Sequence, residues 1–236
     1  MEENTAAIVL RKTVYTDSSA VITTYSRNHG KLSFMVRGLG KKSARNAAVQ
    51  PLTRVEISYG YRQSRSVQMV RSIRILGSAA PDFSHPVKAS VALFLAEVLY
   101  KALREETPDH ELYDYIDAAV TFFEENPPNG VFHLQLMAKL TRLLGFLPSG
   151  APSAEKPYFD LENGEFTAHR NASLHVLQPE ETALFFRLAG AELDEEFHIS
   201  REAKRRMIHH LATYYRLHLE GFGELKSLPI LTELFS

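Results

Sequence analysis

Apolar and polar residues alternate along the first 75 residues of the chain. This two-residue period predicts five β-strands, at residues 5–15, 21–26, 31–37, 53–59 and 66–75. Turn-forming residues separate the strands, and a helical pattern is conceivable only at residues 43–48. Five short strands in so short a segment indicate a small closed barrel, for which the five-stranded OB-fold is the leading candidate.

The pattern changes after about residue 80, where apolar residues recur at helical spacing. It predicts helices at residues 87–105, 108–125, 131–146, 179–188 and 200–219, and a short last helix at 227–235. Thr107 is the expected N-cap of the second helix, with Pro108 at its first position. A β-hairpin is expected at residues 157–168, turning at Glu162, Asn163 and Gly164.

These patterns predict an α+β multi-domain protein. An OB-fold barrel over residues 1–78 is followed by an α-helical domain over residues 79–236, which carries the small β-hairpin as an insertion. Residues 77–86, rich in Ser, Ala and Pro, form the expected linker.

Charge is distributed unevenly between the two parts. Residues 1–80 contain 13 Lys or Arg and 4 Asp or Glu, a formal charge of +9, whereas residues 81–236 contain 14 and 24, a formal charge of −10. The first part therefore has the charge of a surface that faces a polyanion.

Composition excludes several classes of site. The chain has no cysteine, so disulfides, thiolate zinc sites and a cysteine nucleophile are excluded. We expect a soluble, cytoplasmic protein with no membrane partner, because no secretory signal is visible and the longest apolar run is interrupted by Glu97.

The stretch FMVRGLGKKSARNAAVQP, residues 34–51, is a glycine-containing cationic loop. A phosphate-binding P-loop requires Gly five residues before the Gly-Lys pair and Ser or Thr after it, but Met35 and Lys42 occupy these positions. What remains is a cationic turn, which either grips nucleic acid or is a solvated hairpin tip.

Further cations and aromatic residues elsewhere in the barrel favour the first interpretation. Rings that stack on bases and cations that follow phosphates are the two ingredients of single-stranded nucleic-acid binding. The predicted DNA-binding residues are Arg11, Lys12, Lys31, Arg37, Lys41, Lys42, Arg45, Tyr59, Tyr61, Arg62, Arg65, Arg71 and Arg74. Each tyrosine has packing in the core as its alternative role.

No motif indicates catalysis, a metal or a cofactor. Of the 10 histidines, His209 and His210 are adjacent and point about 100° apart on a helix, which does not suit one metal ion. No nucleophile-elbow motif is present, and no pair of carboxylates is distinctive. We therefore predict no catalytic residue and no cofactor.

Two features of the helical part have open interpretations. The helix that starts at Ser200 begins with REAKRR, which is either a functional surface or a solvated face. Residues 131–146 carry an apolar stripe beside two cations, which suits either core packing or a pocket for an acidic peptide with an apolar end. The residues in question are Leu136, Lys139, Leu140, Arg142, Leu143 and Leu144.

Five stretches follow one another along nearly the whole chain: AAIVLRKTVY, QPLTRVEISY, GFLP, YFDLENGEF and ELKSLPILTELF. In this order they resemble the RecO recombination mediators of bacterial DNA repair. The opening AAIVLRKTVYTDSSAVITTYSRNHGKLSFMVRGLGKKSA is similar to that family's start, and QPLTRVEISY to its fourth strand. GFLP, YFDLENGEF and ELKSLPILTELF resemble its helix-to-hairpin junction and its tail.

The resemblance implies a non-enzymatic mediator of DNA repair and homologous recombination. Such a protein binds single- and double-stranded DNA, anneals complementary strands and works with RecR, and often RecF, to load RecA onto DNA coated by single-strand-binding protein (SSB). It also implies that the acidic SSB tail docks on the helical domain, at Leu136, Lys139, Leu140, Arg142 and Leu143. Many members hold zinc with four cysteines around the hairpin. Residues 148–170 have only His169, so we expect the hairpin to hold without metal.

Two other functions remain open on the residues alone. One is an OB-fold RNA-binding factor, and the other is a protein adaptor whose basic barrel is incidental. Comparing affinity for DNA and RNA of one sequence separates the first from the DNA mediator. The adaptor predicts partner binding without DNA.

Overall fold

A computed structural model gives the fold of the 236-residue chain and describes residues 2–40, 43, 45–77, 84–103, 107–127, 129–147 and 150–234. The chain forms two compact units, Met1–Pro128 and Asn129–Ser236. The first unit contains the barrel and the two helices that follow it. The predicted domain boundary at residues 78 and 79 stays a prediction.

The predicted five-stranded barrel is confirmed. Its strands are β1 (Glu2–Thr16), β2 (Ser19–Ser26), β3 (Gly30–Arg37), β4 (Arg54–Gly60) and β5 (Val67–Ile75), with a short helix α1 (Arg45–Ala48) between β3 and β4. They close in the order β1-β2-β3-β5-β4, and all pairs are antiparallel except β3 with β5. This order is that of an OB-fold.

Alternation along the strands explains the barrel core. Ile22 on β2 lies opposite Phe34 on β3, which lies opposite Gln68 on β5, and these three side chains are 0%, 0% and 1% exposed. Since successive side chains of a strand point to opposite faces, their sequence neighbours point outward. The inner row therefore defines which residues form the outer surface.

Two helices complete the first unit, α2 (Pro86–Ala102) and α3 (His110–Glu125). The Asp109 carboxylate caps α3 by accepting a hydrogen bond from the Leu112 amide at 2.9 Å. The prediction of Thr107 as cap and Pro108 as first helical residue is therefore wrong. Thr107 and Pro108 are both residues that can begin a helix, but Asp109 is the N-cap and α3 begins at His110.

The second unit contains four helices and a small sheet within its described residues. The helices are α4 (Phe132–Leu143), α5 (Pro179–Gly190), α6 (Arg201–His218) and α7 (Leu228–Leu234). α4 packs against α5 and α6, and the Tyr215 hydroxyl donates a hydrogen bond to the Met137 carbonyl at 2.8 Å.

The predicted hairpin is present as β6 (Tyr158–Asp160) and β7 (Glu165–Thr167), joined by a turn at the predicted residues. A third strand, β8 (Val176–Leu177), pairs with β6 on its other side. Two residues are too few to give a recognisable alternation, so β8 was not predictable from pattern.

Candidate nucleic-acid interface

One side of the barrel presents two outward-facing cross-strand rows. Register places Val21 of β2, Met35 of β3 and Met69 of β5 in one row, beside a row made by Thr23, Ser33 and Val67. All six side chains are partly exposed. We call these six residues the outer face. Strands 2 and 3 with their flanking loops form the ligand surface of OB-folds in general.

Free cations lie at both ends of the outer face. Arg37 ends β3, two residues beyond Met35, and Arg62 and Arg65 lie in the β4–β5 loop that leads into Val67. All three are exposed, and none forms an ion pair with any of the described residues. Arginines that no carboxylate neutralises are available to phosphate.

The buried side chain of Gln68 holds the β4–β5 loop in place. Its amide oxygen accepts a hydrogen bond from the Arg62 N–H at 3.0 Å, and its amide nitrogen donates to the Arg62 and Arg65 carbonyls at 2.9 and 2.8 Å. Gln68 is only 1% exposed. The loop backbone around both arginines is therefore fixed by the barrel, a role that sequence reasoning missed.

The glycine-containing loop after β3 is tied to the β1–β2 turn. The Leu39 N–H donates to the Ser18 carbonyl at 2.9 Å, and Arg45 donates from Nη1 to the Arg37 carbonyl at 2.9 Å. Gly38 has φ of 77°, a conformation that favours glycine. Lys41 and Lys42 lie outside the described residues, so their predicted role stays a prediction.

The tip of the β1–β2 hairpin carries an exposed apolar pair that sequence reasoning missed. Val14 is 71% exposed and Tyr15 is 70% exposed. The tip lies beside Arg37, because Ser19 is paired with Thr16 on one side and with Arg37 on the other. Partly exposed Lys12 lies on the same hairpin. An exposed ring next to cations suits base stacking. The sequence feature that could have revealed the exposure of Tyr15 is its position next to the turn at Asp17.

The predicted base-stacking role is wrong for Tyr59 and stays a prediction for Tyr61. Tyr59 is 0% exposed, packs edge-on against Phe34 and donates from its hydroxyl to Glu3 Oε2 at 3.1 Å. It is a core residue with no free ring face for a base. Tyr61 is partly buried and stacks on His29 with ring centroids 4.5 Å apart, so one of its faces is already covered.

Arg11 and Lys31 contact Tyr100 of α2 within the same unit. Arg11 Nη1 donates to the Tyr100 hydroxyl at 3.1 Å, and Lys31 Nζ donates to the Tyr100 carbonyl at 2.7 Å. Lys31 also lies 4.2 Å from the centre of the Tyr100 ring. Both cations fasten α2 to the barrel, a role that the sequence did not suggest.

Arg71 and Arg74 lie on the β4–β5 side of the barrel in ion pairs. Arg71 contacts Glu2 at 2.7 Å, and Arg74 contacts Glu56, its direct cross-strand neighbour, at 2.8 Å. All four side chains are well exposed, so solvent weakens these pairs. This side of the barrel is close to neutral, unlike the outer face.

Helix α3 neutralises two more barrel cations. Arg27 pairs with Asp114 at 2.9 Å, and the partly buried Arg54 pairs with Asp117 at 2.8 Å. Glu124 Oε2 lies 3.7 Å from Arg54. Burial raises the pKa of Glu124 to about 7, although the Arg54 charge opposes this rise. Arg37, Arg62 and Arg65, at the two ends of the outer face, are thus among the barrel cations that no described carboxylate neutralises.

The prediction of a peptide pocket on α4 is wrong for two of its leucines. Leu136 and Leu140 are both 0% exposed, because α4 turns this stripe towards α5 and α6. Lys139, Leu143 and Leu144 are partly exposed, and Arg142 is exposed. Only these four residues remain available to a ligand.

The described ranges contain neither a metal-binding cluster nor a membrane-spanning helix. No group of three or more His, Asp or Glu side chains in them is arranged to hold a metal ion. Nor does any of their helices have the length and apolar character needed to cross a membrane.

A closed OB-type barrel followed by a helical region defines a two-part OB-fold protein. Family models give this class a narrower identity: "Recombination protein O N terminal" matches residues 1–79 and "Recombination protein O C terminal" matches residues 84–229. The chain belongs to the RecO family of DNA repair proteins.

Full-length relatives agree with this membership. The DNA repair protein RecO of Phocaeicola vulgatus is 34% identical over 100% of both chains, and that of Bacteroides fragilis is 32% identical over 100% of both chains. The RecO of Porphyromonas gingivalis is 31% identical over 97% of both chains. The family recognised from motif order is thus confirmed.

Proposed function

We propose that the protein is a DNA-binding mediator of repair and homologous recombination that has no chemistry of its own. The observation that carries the proposal is the set of unpaired arginines, Arg37, Arg62 and Arg65, at both ends of the outer face, with Tyr15 exposed beside Arg37. Cations at two ends of one face can follow a single strand across it, while Tyr15 offers a ring to a base.

Strand annealing on this account is a physical process. A cationic surface lowers the phosphate repulsion between two complementary strands and raises their local concentration. The contacts are to phosphate and to the general face of a base, so we expect little sequence preference and a strong dependence on salt.

An annealing assay tests the proposal. Complementary oligonucleotides that carry a donor and an acceptor fluorophore are mixed with the wild type or with an Arg37→Gln, Arg62→Gln, Arg65→Gln variant. We expect the variant to anneal about tenfold more slowly at physiological salt, because it lacks roughly three phosphate contacts. A Glu56→Gln, Arg74→Gln variant removes one whole ion pair without changing net charge and should anneal like the wild type.

Equal rates for the arginine variant and the wild type would contradict the proposed surface. An RNA oligonucleotide of the same sequence that binds much more tightly than DNA would instead indicate an RNA-binding factor.

The proposal includes the protein partners that the resemblance to the RecO family implies. The mediator would load RecA onto SSB-coated DNA in the cytoplasm, together with RecR and in some settings RecF. The SSB tail would dock beside Lys139, Arg142, Leu143 and Leu144, where cations adjoin partly exposed leucines.

The tail proposal has its own test. A Lys139→Ala, Arg142→Ala variant should lose most of its affinity for a fluorescent peptide with the SSB tail sequence while it keeps its affinity for DNA. Unchanged peptide affinity would place the tail elsewhere on the protein.

A further inference from the structure

Helix α6 is a basic stripe on an otherwise acidic unit. Residues 129–236 contain 11 Lys or Arg and 14 Asp or Glu, yet α6 alone holds five of these cations and one carboxylate. Four of the cations, Arg201, Lys204, Arg205 and Arg206, fall in its first two turns, where they oppose the helix dipole. The proposed DNA surface uses none of these residues, so the concentration of charge calls for another explanation.

The chain after α6 folds back and makes one wall of a groove along this stripe. Gly221, with φ of 74°, allows the reversal, and Phe222 then packs on Tyr215 with ring centroids 5.2 Å apart. Leu225 and Leu231 are buried at 6% and 1% exposure, which fixes the returning segment and α7 in place.

The groove consists of two adjoining cavities of about 530 and 350 Å³. His209 of α6 and Thr232 of α7 line both cavities. Arg205 lines the larger cavity, and Arg216 lines the smaller one together with Glu224. Leu228 and Pro229 of α7 supply an apolar wall to the smaller cavity.

Arginines outnumber carboxylates in the lining of the groove, since Arg205, Arg206 and Arg216 face it together with Glu181 and Glu224. Arg205 and Arg216 form no ion pair with any residue in the described part of the chain. Burial lowers the pKa of His209, and the neighbouring His210 and Arg205 charges lower it further. The Glu181 carboxylate in the larger cavity is already held by Arg206 at 2.9 Å and by His210 at 3.3 Å.

We propose that this α6–α7 groove binds an extended acidic peptide segment with aliphatic side chains, contributed by a partner protein. Carboxylates would pair with Arg205 and Arg216, and aliphatic side chains would pack on Leu228 and Pro229. Among the described residues, no Phe, Tyr or Trp ring lines either cavity, so this part of the groove lacks the stacking platforms that favour nucleic acid. The inference goes beyond the proposed DNA function and lies on a different helix from Lys139 and Arg142.

Fluorescence anisotropy tests the groove with a defined probe, a short labelled peptide of alternating Asp and Leu residues. We expect an Arg205→Gln, Arg216→Gln variant to bind this probe about tenfold more weakly than the wild type, because two charge-assisted contacts are lost. Both side chains are exposed and unpaired among the described residues, so the variant should fold. A Lys156→Gln, Arg170→Gln variant removes the same charge from exposed positions of the same unit and should bind like the wild type.

Two changes of probe test the chemistry of recognition. Replacing Asp by Asn in the peptide should abolish binding, because the carboxylates that pair with the arginines are lost. Replacing Leu by Gly should weaken binding, because the peptide then buries no aliphatic side chain against Leu228 and Pro229. NMR titration of the full chain should also show the His209 pKa rising when the Asp-Leu peptide binds, since an anion favours the imidazolium.

Three results would overturn the inference. The first is equal peptide affinity in the Arg205, Arg216 variant and the wild type, and the second is no peptide binding even at low salt. The third is displacement of the peptide by oligothymidylate, together with a His209 pKa that does not change when the peptide is added. The last result would assign the stripe to nucleic acid. DNA annealing by the Arg205, Arg216 variant is expected to be unchanged, so failure of this inference and failure of the proposed function are distinguishable.

Discussion

At the scale of single residues, the outer face depends on side chains with separate tasks. Gln68 is buried and uses its amide to fix the loop that carries Arg62 and Arg65. Tyr15 is exposed and has no such structural task among the contacts described. One residue therefore prepares the surface, and the other is free to contact a ligand.

Tyr15 should contribute to DNA affinity through stacking rather than charge. A Tyr15→Ala variant is expected to bind oligothymidylate more weakly by about 1–3 kcal/mol, the range of a base–aromatic stack, with an unchanged salt dependence. Anisotropy titrations at several salt concentrations measure both quantities.

A Tyr59→Phe variant is the matched control for Tyr15→Ala. It keeps the buried ring and removes only the hydrogen bond to Glu3, so it should lower stability by about 1 kcal/mol and leave DNA affinity unchanged. Weaker DNA binding in Tyr59→Phe, with no change in Tyr15→Ala, would reverse the two assignments.

At the scale of elements, the β6–β7 hairpin shows how a turn is held by one carboxylate. Asp160 is 1% exposed and accepts hydrogen bonds from the Glu162 N–H at 2.9 Å, from Asn163 Nδ2 at 2.8 Å and from the Ser173 hydroxyl at 2.7 Å. Burial acts to raise the pKa of Asp160, but the hydrogen bonds from Ser173 and Asn163 outweigh it and lower the pKa. The charged form is thus the one that the hairpin stabilises.

An Asp160→Asn variant should be less stable by about 2 kcal/mol, because an amide N–H₂ then faces the Asn163 side-chain donor. The wild type should lose this stabilisation as pH falls below the ordinary carboxyl value of about 4 towards the lowered pKa of Asp160. Urea denaturation followed by circular dichroism measures both effects. The exposed Asp194→Asn is the control, and equal stability of the two variants would contradict this account of the turn.

At the scale of the whole molecule, the two units contain buried titratable groups with opposite responses to pH. In the first unit, burial raises the pKa of Glu124 to about 7. In the second, burial lowers the pKa of His133 to about 3, and the Lys204 charge contributes. Glu124 therefore favours the folded state most at low pH, and His133 favours it most at neutral pH.

The opposite signs lead to a prediction for each unit. Between about pH 4.5 and 7, Glu124 should lower the stability of the first unit as pH rises, by at most about 1.4 kcal/mol per pH unit. Between about pH 6.5 and 3, His133 should lower the stability of the second unit as pH falls, at a similar maximal slope.

Limited proteolysis with mass spectrometry across this pH range measures the opening of each unit separately. Glu124→Gln and His133→Gln should each flatten the pH dependence of its own unit, whatever they do to absolute stability. Parallel pH profiles for both units, unaffected by either change, would contradict this assignment.

Much of the fold could be predicted from the sequence because apolar and polar residues alternate along parts of the barrel strands, most regularly along β4. The same alternation also predicts a buried Tyr59, because Tyr59 is two residues after Ile57 and four after Val55, which are both buried on the inner face of β4. The assignment of its ring to DNA binding is wrong because it rests on aromatic content alone and ignores which face of the strand Tyr59 occupies. Leu136 and Leu140 were misassigned for a similar reason, since an apolar stripe on a helix gives no sign of which neighbour covers it.

The remaining features depend on contacts between distant parts of the chain. Arg27 and Asp114 are 87 residues apart, and Arg54 and Asp117 are 63 residues apart. No local pattern shows that these pairs neutralise two barrel cations. The charge of a sequence segment therefore overstates the charge that its surface presents, and the free arginines emerge only from the tertiary structure.

The central claim is that the unpaired arginines of the outer face contact DNA phosphates, and its most direct test is the salt dependence of binding. Anisotropy of labelled oligothymidylate is measured across a salt series for the wild type, the Arg37→Gln, Arg62→Gln, Arg65→Gln variant and the Glu56→Gln, Arg74→Gln control. The account predicts a log–log slope about two units flatter in the arginine variant, since each phosphate contact on a single strand contributes about 0.7, and an unchanged slope in the control. Equal slopes for the wild type and the arginine variant, with DNA still bound, would contradict the claim.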